Sequence, residues 1–237
     1  MSNSVSALLS ATFYEPGYDH LVELVHQRDP EARRRLASLD LSAYGPDGKL
    51  LLEHGLDTRE ETLDLGALLA PTAREHGRVM AVFDARYEED AFPYRPHHYA
   101  YVHRAGSATP ALYYAVSAAL GGVPDRIGDM SRINNFDTYV FRRGPHAARY
   151  SVMLGNVGRF APTEAQVFAY YGAERVEETV PLGPRAHAEV ALAPERGGQP
   201  LTRVETKSLF RLAGYVAGRR DPSGDLVLFD HLFTFFK

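Results

Sequence analysis

The sequence predicts an all-β protein built as a β-sandwich. Short apolar and aromatic runs recur along the chain and are separated by Gly, Pro and Asp, which is typical of strands joined by tight turns. Within several runs apolar residues alternate with other residues, as strand side chains do when they point to opposite faces of a sheet. The pattern favours two tandem immunoglobulin-like sandwiches or one larger two-sheet sandwich with a pseudo-repeat. The alternative is a single barrel of the cupin or lipocalin type.

The composition narrows the class of protein. The chain has 237 residues, of which 45% are hydrophobic and 24% charged, so it can bury a core without disulfides or a structural metal. It contains no cysteine, which excludes iron–sulfur clusters, thiolate zinc sites and a thiol nucleophile. The net charge of −4 gives no global basic field, so no nucleic-acid partner is predicted. No apolar run approaches the roughly 20 residues of a membrane span.

The first part of the chain contains one ambiguous segment and one clear hairpin. Asp19–Leu36 has a helical apolar face, but Leu21–Val25 also fits a strand and Pro30 would interrupt a long helix. Tyr44–Lys49 contains Pro and Asp-Gly between two apolar runs. Pro favours the first corner of a turn and Gly accepts the left-handed conformation that closes it, so this segment predicts a hairpin.

Two strands and a second ambiguous segment follow. The strands are predicted at Val79–Tyr87 and Tyr99–Arg104, where β-branched and aromatic residues alternate. In Ala111–Leu120 the two tyrosines favour a strand, whereas the alanines before a glycine favour a helix end.

The second half repeats this pattern. Strands are predicted at Phe136–Phe141 and Arg149–Asn156, and Gln166–Tyr171 and Glu174–Val180 predict a hairpin at Gly172-Ala173. A last hairpin, with its turn at Arg220–Asp225, joins two further predicted strands, Lys207–Arg219 and Leu226–Phe236. The final strand is apolar on both faces, so we expect it to be covered on both sides or to form an interface.

A weak internal repeat relates the two halves at a spacing of roughly 120 to 135 residues. It matches Leu63–Leu69 with Ala188–Leu192, both closing at Ala-Pro, Val79–Tyr87 with Leu209–Tyr215, and Tyr99–Arg104 with Leu226–Phe236. Shared alternation and turns in any two all-β stretches would give the same impression. The predicted division is a sandwich half at 1–104, a connecting segment at 105–135 that contributes strands or packs between the halves, and a second half at 136–237.

Histidines cluster in one segment. His97, His98 and His103 suggest acid–base chemistry or a divalent metal. On a straight strand His97 and His103 would lie about 20 Å apart, and His97 and His98 would face opposite sides, so the segment by itself does not form a metal site. The sequence therefore predicts no metal and no cofactor, and favours packed or solvent-facing histidines.

A set of aromatic and polar residues is the second candidate site. It comprises Arg86, Tyr99, Tyr101 and Tyr113, with Tyr87 and Tyr114 beside them. Tyrosine presents a stacking face and a hydroxyl, which suits sugar rings or aromatic ligands. The alternative interpretation is a sheet surface stabilised by aromatic cross-strand pairs.

Three further residues are weaker candidates for ligand binding. Asn134 and Asn135 lie in a predicted loop that enters a strand, where Asn side chains usually form turn hydrogen bonds. His231 lies among phenylalanines in the last strand, where a neutral buried histidine is the common outcome. Its neighbour Asp230 should point to the opposite face, so the two are not expected to form a catalytic dyad.

The sequence predicts a non-catalytic binding or assembly module that recognises a carbohydrate, a peptide or a protein partner. No nucleotide-binding loop, Gly-x-Ser-x-Gly or Cys-x-x-Cys motif is present, and the apolar last strand makes a homo-oligomer plausible. The competing hypothesis is a small-molecule isomerase, cyclase or lyase that uses His, Tyr and Arg as acids and bases between two sheets. A bacterial, cytoplasmic protein is expected, because arginine far outnumbers lysine and no basic leader precedes the first apolar residues.

Overall fold

The computed structural model describes residues 6–24, 34–87, 98–108, 110–119, 135–141, 147–209 and 211–234. Strands make up 62% of the described structure, which has one helix, and they form four antiparallel sheets, none of which closes on itself. The prediction of an all-β, sandwich-like fold is confirmed.

Nine strands and one helix make up the described part of the first half: β1 (Ser6–Tyr14), β2 (Tyr18–Glu23), β3 (Leu36–Tyr44), β4 (Leu50–Gly55), β5 (Thr62–Asp64), α1 (Leu65–His76), β6 (Val79–Tyr87), β7 (Tyr99–Arg104), β8 (Leu112–Ala115) and β9 (Ser117–Ala119). The described second half contains ten strands: β10 (Asn135–Val140), β11 (Arg149–Gly155), β12 (Thr163–Tyr171), β13 (Glu174–Leu182), β14 (His187–Leu192), β15 (Glu195–Arg196), β16 (Gln199–Ser208), β17 (Ala213–Arg219), β18 (Leu226–His231) and β19 (Phe233–Thr234).

The two halves have the same strand order. Sheet 1 runs β4-β3-β6-β1-β9, and its counterpart, sheet 3, runs β13-β12-β16-β10-β19. Sheet 2 runs β5-β2-β7-β8, and its counterpart, sheet 4, runs β14-β11-β17-β18. Every strand of the first repeat therefore has a counterpart at the same place in the second, and short β15 stands where the first repeat has α1. The internal repeat is confirmed at the level of strand order.

The predicted matches of Val79–Tyr87 with Leu209–Tyr215 and of Tyr99–Arg104 with Leu226–Phe236 are wrong, because each assigns the strand that follows the true counterpart. The predicted strand Lys207–Arg219 is in fact two strands in different sheets, because β16 ends at Ser208 and β17 begins at Ala213. The counterparts of β6 and β7 are therefore β16 and β17. Segment 105–135 does contribute strands, since β8 and β9 complete the first repeat, and the predicted division of the chain into domains stays a prediction.

Leu63–Leu69, which the repeat matches with Ala188–Leu192, is extended only in its first residues, and the rest belongs to helix α1. Asp64 caps helix α1, with its carboxylate accepting a hydrogen bond from the Ala67 backbone N–H (3.0 Å). The helix buries Leu65, Leu69 and Ala73 on one face and contains Pro71, which the sequence pattern had suggested as a closing residue. At twelve residues it is short, and within the described residues nothing helical has the length and apolarity needed to cross a bilayer.

The predicted turns at Tyr44–Lys49 and Arg220–Asp225 are confirmed, and β12 pairs with β13 across the predicted turn at Gly172-Ala173. In the first, the Gly45 N–H donates to the Lys49 carbonyl (3.0 Å), and Gly48 adopts a φ of 83° that favours glycine. In the second, the Arg220 N–H donates to the Asp225 carbonyl (2.9 Å). The tip of the first turn packs directly on the second repeat.

The central strands of sheet 4, β11 and β17, are buried on both faces along almost their whole length, and sheet 4 thereby joins the repeats. Met153, Tyr215 and Phe229 belong to the core of the first repeat, whereas Val152 and Val216 pack against sheet 3 in the core of the second. The expectation that the last long strand is covered on both sides is therefore confirmed for β18.

Strict alternation nevertheless fails in β18. Leu226 and Phe229 enter the same core, although alternation assigns them to opposite faces. The register explains this, because Gly218 pairs with Leu228 and Arg219 with Leu226, which leaves Val227 as an extra, bulged residue.

A partly buried ion-pair network also connects the repeats. Glu15 of the first repeat binds Arg78 and accepts two hydrogen bonds from Arg219 Nη2 (2.7 and 2.8 Å). Arg78 also donates to Glu189 of the second repeat (2.6 Å), and Arg219 donates to the Tyr18 hydroxyl (2.8 Å). These groups are 15 to 33% exposed, and their charges balance, so the network acts as a structural clamp.

Candidate functional site

The outer face of sheet 2 carries three tyrosines from two adjacent strands, which we call the tyrosine platform: Tyr99, Tyr101 and Tyr113. Tyr101 lies directly opposite Tyr113 in the β7–β8 pairing, and Tyr99 lies two residues away on the same face. The ring centroids of Tyr101 and Tyr113 are 4.6 Å apart. Those of Tyr99 and Tyr113 are 5.4 Å apart with only 11° between the ring planes. All three residues were predicted as site candidates, and the structure brings them together.

The platform is accessible in the described structure. Tyr113 is 50% exposed and Tyr101 38% exposed, and the neighbouring Leu21 on β2 is 39% exposed. Together these side chains form one contiguous, partly exposed apolar surface, the kind of feature at which binding sites are found.

The alternation of β7 and β8 creates the platform. Ala100 and Val102 point inward and are buried, while Tyr99 and Tyr101 point outward. On β8 the same alternation places Tyr113 on the outer face and Tyr114 on the inner face. There the Tyr114 hydroxyl lies 2.6 Å from the Thr12 hydroxyl. Tyr114 is therefore a core residue, and the platform is limited to the outward-pointing tyrosines.

Polar groups border the platform along β2. Asp19 lies opposite His103, and Glu23 lies opposite Tyr99. The His103 Nδ1 atom is 3.8 Å from the Asp19 carboxylate, and its Nε2 atom is 3.2 Å from the Ser107 carbonyl. Aromatic faces bordered by carboxylates and an imidazole can stack against the C–H face of a sugar ring while hydrogen-bonding its hydroxyls.

The described histidines of the 97–103 segment do not converge. His98 is 3% exposed and packs its ring against Phe83 (5.3 Å between centroids) inside the sandwich, whereas His103 is on the outer face. His97 lies outside the described residues. Within the described residues no three His, Asp or Glu side chains are grouped as a metal ion would require.

The remaining candidates lie away from the platform. Arg86 is on sheet 1, 48% exposed and 3.4 Å from Asp84. Asn134 lies outside the described residues, and Asn135 begins β10 opposite Ser208.

The His231 candidate lies in β18. Its ring contacts Phe233 (4.3 Å), and its Nδ1 atom lies 3.3 Å from Asp230. The expectation that these two neighbours point apart is wrong, because Asp230 folds back to accept the His231 backbone N–H (2.9 Å).

Two surfaces of the second repeat were not among the predicted site residues, although the apolar last strand had indicated an interface near one of them. A groove of about 220 Å³ opens between β12–β13 and β14, lined by core residues such as Tyr171, Val176 and Leu192, with Arg196 at its edge. A second, exposed apolar patch on β10 and β19 comprises Phe136, Val140 and Phe233. The groove arises where strands of two different sheets meet, and the patch arises where β10 pairs with β19 at the end of sheet 3. Periodicity along one strand reveals neither arrangement.

The chain was compared with known proteins. No protein-family model matches it, and no curated protein matches it significantly in sequence. The chemistry of its own surfaces is therefore the basis for proposing a function.

Proposed function

We propose that this protein is a non-catalytic binding module that recognises a carbohydrate through the tyrosine platform. The observation that carries the proposal is the contact of three outward-pointing tyrosines on one sheet face, two of them 38 and 50% exposed. Stacked aromatic rings offer a flat apolar surface, and each tyrosine also carries a hydroxyl.

The dimensions of the platform suit a short oligosaccharide. Neighbouring strands lie about 5 Å apart and residues two positions apart on a strand about 7 Å apart, so three tyrosines span one to two sugar rings. The adjacent Asp19 and Glu23 would accept hydrogen bonds from sugar hydroxyls and would repel acidic polymers. Neutral, polyhydroxylated ligands are therefore the expected class.

The chemistry of the described residues supports binding more than catalysis. The acid–base alternative needs two of its candidate groups at one point between two sheets, but His98 is inside the sandwich and Arg86 is on sheet 1. Tyr101 and His103 share the outer face of sheet 2, two positions apart on β7, and not a pocket between sheets.

The proposal is tested by screening neutral polysaccharides by affinity electrophoresis and measuring the best ligand by calorimetry. We expect Tyr113→Ala and Tyr101→Ala each to weaken binding about tenfold, because each removes one stacking face. The chain contains no tryptophan, so ligand-induced changes in the near-ultraviolet spectrum report on tyrosine directly.

The matched control is Phe160→Ala, which removes an aromatic side chain that is 69% exposed and lies on another part of the surface. It should leave carbohydrate affinity unchanged. Absence of saturable binding, or an equal loss in the Phe160 variant, would contradict the proposal. A change in molecular mass by light scattering in Tyr113→Ala, without carbohydrate binding, would instead indicate a protein partner or a second copy.

A further inference from the structure

The two repeats differ in how the connection after their third sheet-edge strand packs on the core. In the first repeat β5 leads into α1, which places Leu65, Leu69 and Ala73 in the first core. The counterpart connection, residues 193–198 between β14 and β16, is short, and its residues are exposed or only partly buried. It therefore adds no buried side chain to the second core, and the groove between β12–β13 and β14 opens beside it.

Apolar side chains from both sheets of the second sandwich line this groove. They are Val167, Ala169 and Tyr171 of β12 and Val190 and Leu192 of β14. The three β12 residues are no more than 3% exposed, because alternation directs them between the sheets. The Tyr171 hydroxyl already donates to the Ala193 carbonyl (2.9 Å), so the part of Tyr171 that remains for contact with a ligand is its ring.

The groove has room for a small organic group. Its volume is about 220 Å³, and an apolar protein cavity of about 150 Å³ is sufficient for benzene. A phenyl group carrying a short chain therefore fits, with the chain directed toward the mouth of the groove.

One carboxylate belongs to the groove. Glu178 lies opposite Val167 in the β12–β13 pairing, so it is on the inner face of sheet 3, between Val176 and Val180 along β13. It lines the groove at its solvent-exposed side. Among the described residues Glu178 has neither a hydrogen-bond partner nor an ion-pair partner.

The surrounding charges leave Glu178 uncompensated. Arg196, the second charged residue of the lining, pairs with Glu174 (2.5 Å). Arg175 is on the outer face of the sheet, where it pairs with Glu177 (3.6 Å). The exposed Glu195 beside Arg196 adds a further negative charge. The mouth of the groove is therefore complementary to a cation.

We propose that this groove binds a small arylalkylamine, in which a short chain joins an aromatic ring to a primary ammonium group. The ring packs against Val167, Ala169 and Leu192, and the ammonium group donates to the Glu178 carboxylate at the mouth. The groove is in the second repeat and the tyrosine platform is in the first, so this binding activity does not depend on carbohydrate recognition.

The test is titration of the full chain with 2-phenylethylamine, followed by NMR at constant ionic strength and about pH 7, where a primary amine is protonated. The comparison ligands, 2-phenylethanol and 3-phenylpropanoate, keep the aromatic ring and a short chain but end in a neutral and a negative group. We expect the amine to bind about fivefold more tightly than the alcohol, because it forms one solvent-exposed ion pair. The carboxylate should bind more weakly than the alcohol.

Two variants separate the contributions of charge and space. Glu178→Gln should abolish the preference for the amine over the alcohol and leave the affinity for the alcohol unchanged. Ala169→Leu fills the groove and should abolish saturable binding of both ligands. Since Glu178 is exposed, its variant keeps the test valid if Ala169→Leu does not fold.

The matched control is Glu177→Gln, which removes the adjacent carboxylate on the opposite face of β13, 41% exposed and paired with Arg175. It should keep the preference for the amine. Tyr113→Ala should also bind the amine normally, which distinguishes this site from the platform. Absence of saturable amine binding, equal affinity for amine and alcohol, or an equal loss in Glu177→Gln would each overturn the proposal. Aggregation of Glu178→Gln with unchanged amine affinity would also overturn it, because Glu178 would then serve only to protect the edge strand β13.

Discussion

At the scale of single residues, a row of buried polar side chains connects sheet 2 to sheet 1 in the first repeat. His20 Nε2 lies 2.6 Å from the Tyr114 hydroxyl, which lies 2.6 Å from the Thr12 hydroxyl. Burial lowers the pKa of His20 to about 3, and burial together with nearby Arg78 lowers that of His187 to about 4. Both histidines are therefore neutral in the folded protein at neutral pH.

This burial predicts that stability falls in mild acid. An unfolded histidine binds a proton below about pH 6.5, whereas folded His20 does not until about pH 3. The stabilisation is thus complete above about pH 6.5 and is lost as the pH falls toward the folded pKa, at about 1.4 kcal/mol per pH unit for each histidine. We expect His20→Gln to reduce the slope of unfolding free energy between about pH 6 and 5 by this amount, as measured by urea denaturation.

The exposed His54 on β4 provides the control for this prediction. His54→Gln should leave the pH slope as it is in the parent protein. An unchanged slope of unfolding free energy with pH in His20→Gln would contradict this prediction, because it would show that the His20 ring takes up protons in the folded state.

At the scale of elements, the β3–β4 hairpin serves two purposes. Its turn closes the edge of sheet 1, and its tip contacts the second repeat next to Arg185. Gly48 allows both the turn and the contact, because its φ of 83° fits the turn and its lack of a side chain leaves room for the Pro184 carbonyl.

We expect Gly48→Ala to destabilise the protein by more than a turn glycine normally would. Gly17 is a suitable reference, since its φ is 85° and an added Cβ atom would meet nothing within 4 Å. Gly17→Ala should cost about 1 kcal/mol from backbone strain alone. Gly48→Ala should cost at least about 2 kcal/mol more, because the added methyl group forces the junction apart. Equal values in chemical denaturation would show that the hairpin tip contributes nothing to the junction.

At the scale of the whole molecule, the two repeats share a core through sheet 4. The Tyr215 hydroxyl donates to the Ala11 carbonyl (2.7 Å) and accepts from the Ser117 N–H (2.6 Å), so a second-repeat side chain is bonded to both β1 and β9. Its ring also packs edge-on against Phe13 (5.8 Å). Exposing the shared face of sheet 4 would cost both repeats their apolar burial.

We therefore expect the chain to unfold in one cooperative transition, with equal calorimetric and van't Hoff enthalpies. Tyr215→Phe, which leaves two buried backbone groups without their partner, should lower the unfolding free energy by about 2 kcal/mol while keeping a single transition. Two resolved transitions in the parent protein would contradict this and would support 1–104 and 136–237 as independent folding units.

Local patterns were sufficient to predict about half of the strands, but not β1 or β16. Val79–Tyr87 and Tyr99–Arg104 are predicted with the bounds that the structure shows, and both turns are at their predicted places. Helix α1 was missed because its Ala-Pro step was interpreted as an ending, whereas its beginning depends on the Asp64 cap and on burial of Leu65 and Leu69. The bulge at Val227 depends on the partner strand, so no pattern within β18 indicates it.

By itself the sequence determined the fold class, the strand repeat in outline and the outward alternation of the tyrosines, because side-chain alternation and turn chemistry are local properties of the backbone. Only the tertiary structure decided that Tyr99, Tyr101 and Tyr113 meet, that the central strands of sheet 4 are buried on both faces, and that the tip of the β3–β4 turn packs on the Pro184 carbonyl. These facts depend on which strands and loops from distant parts of the chain become neighbours, and pairing between distant segments is set by the packing of the whole molecule.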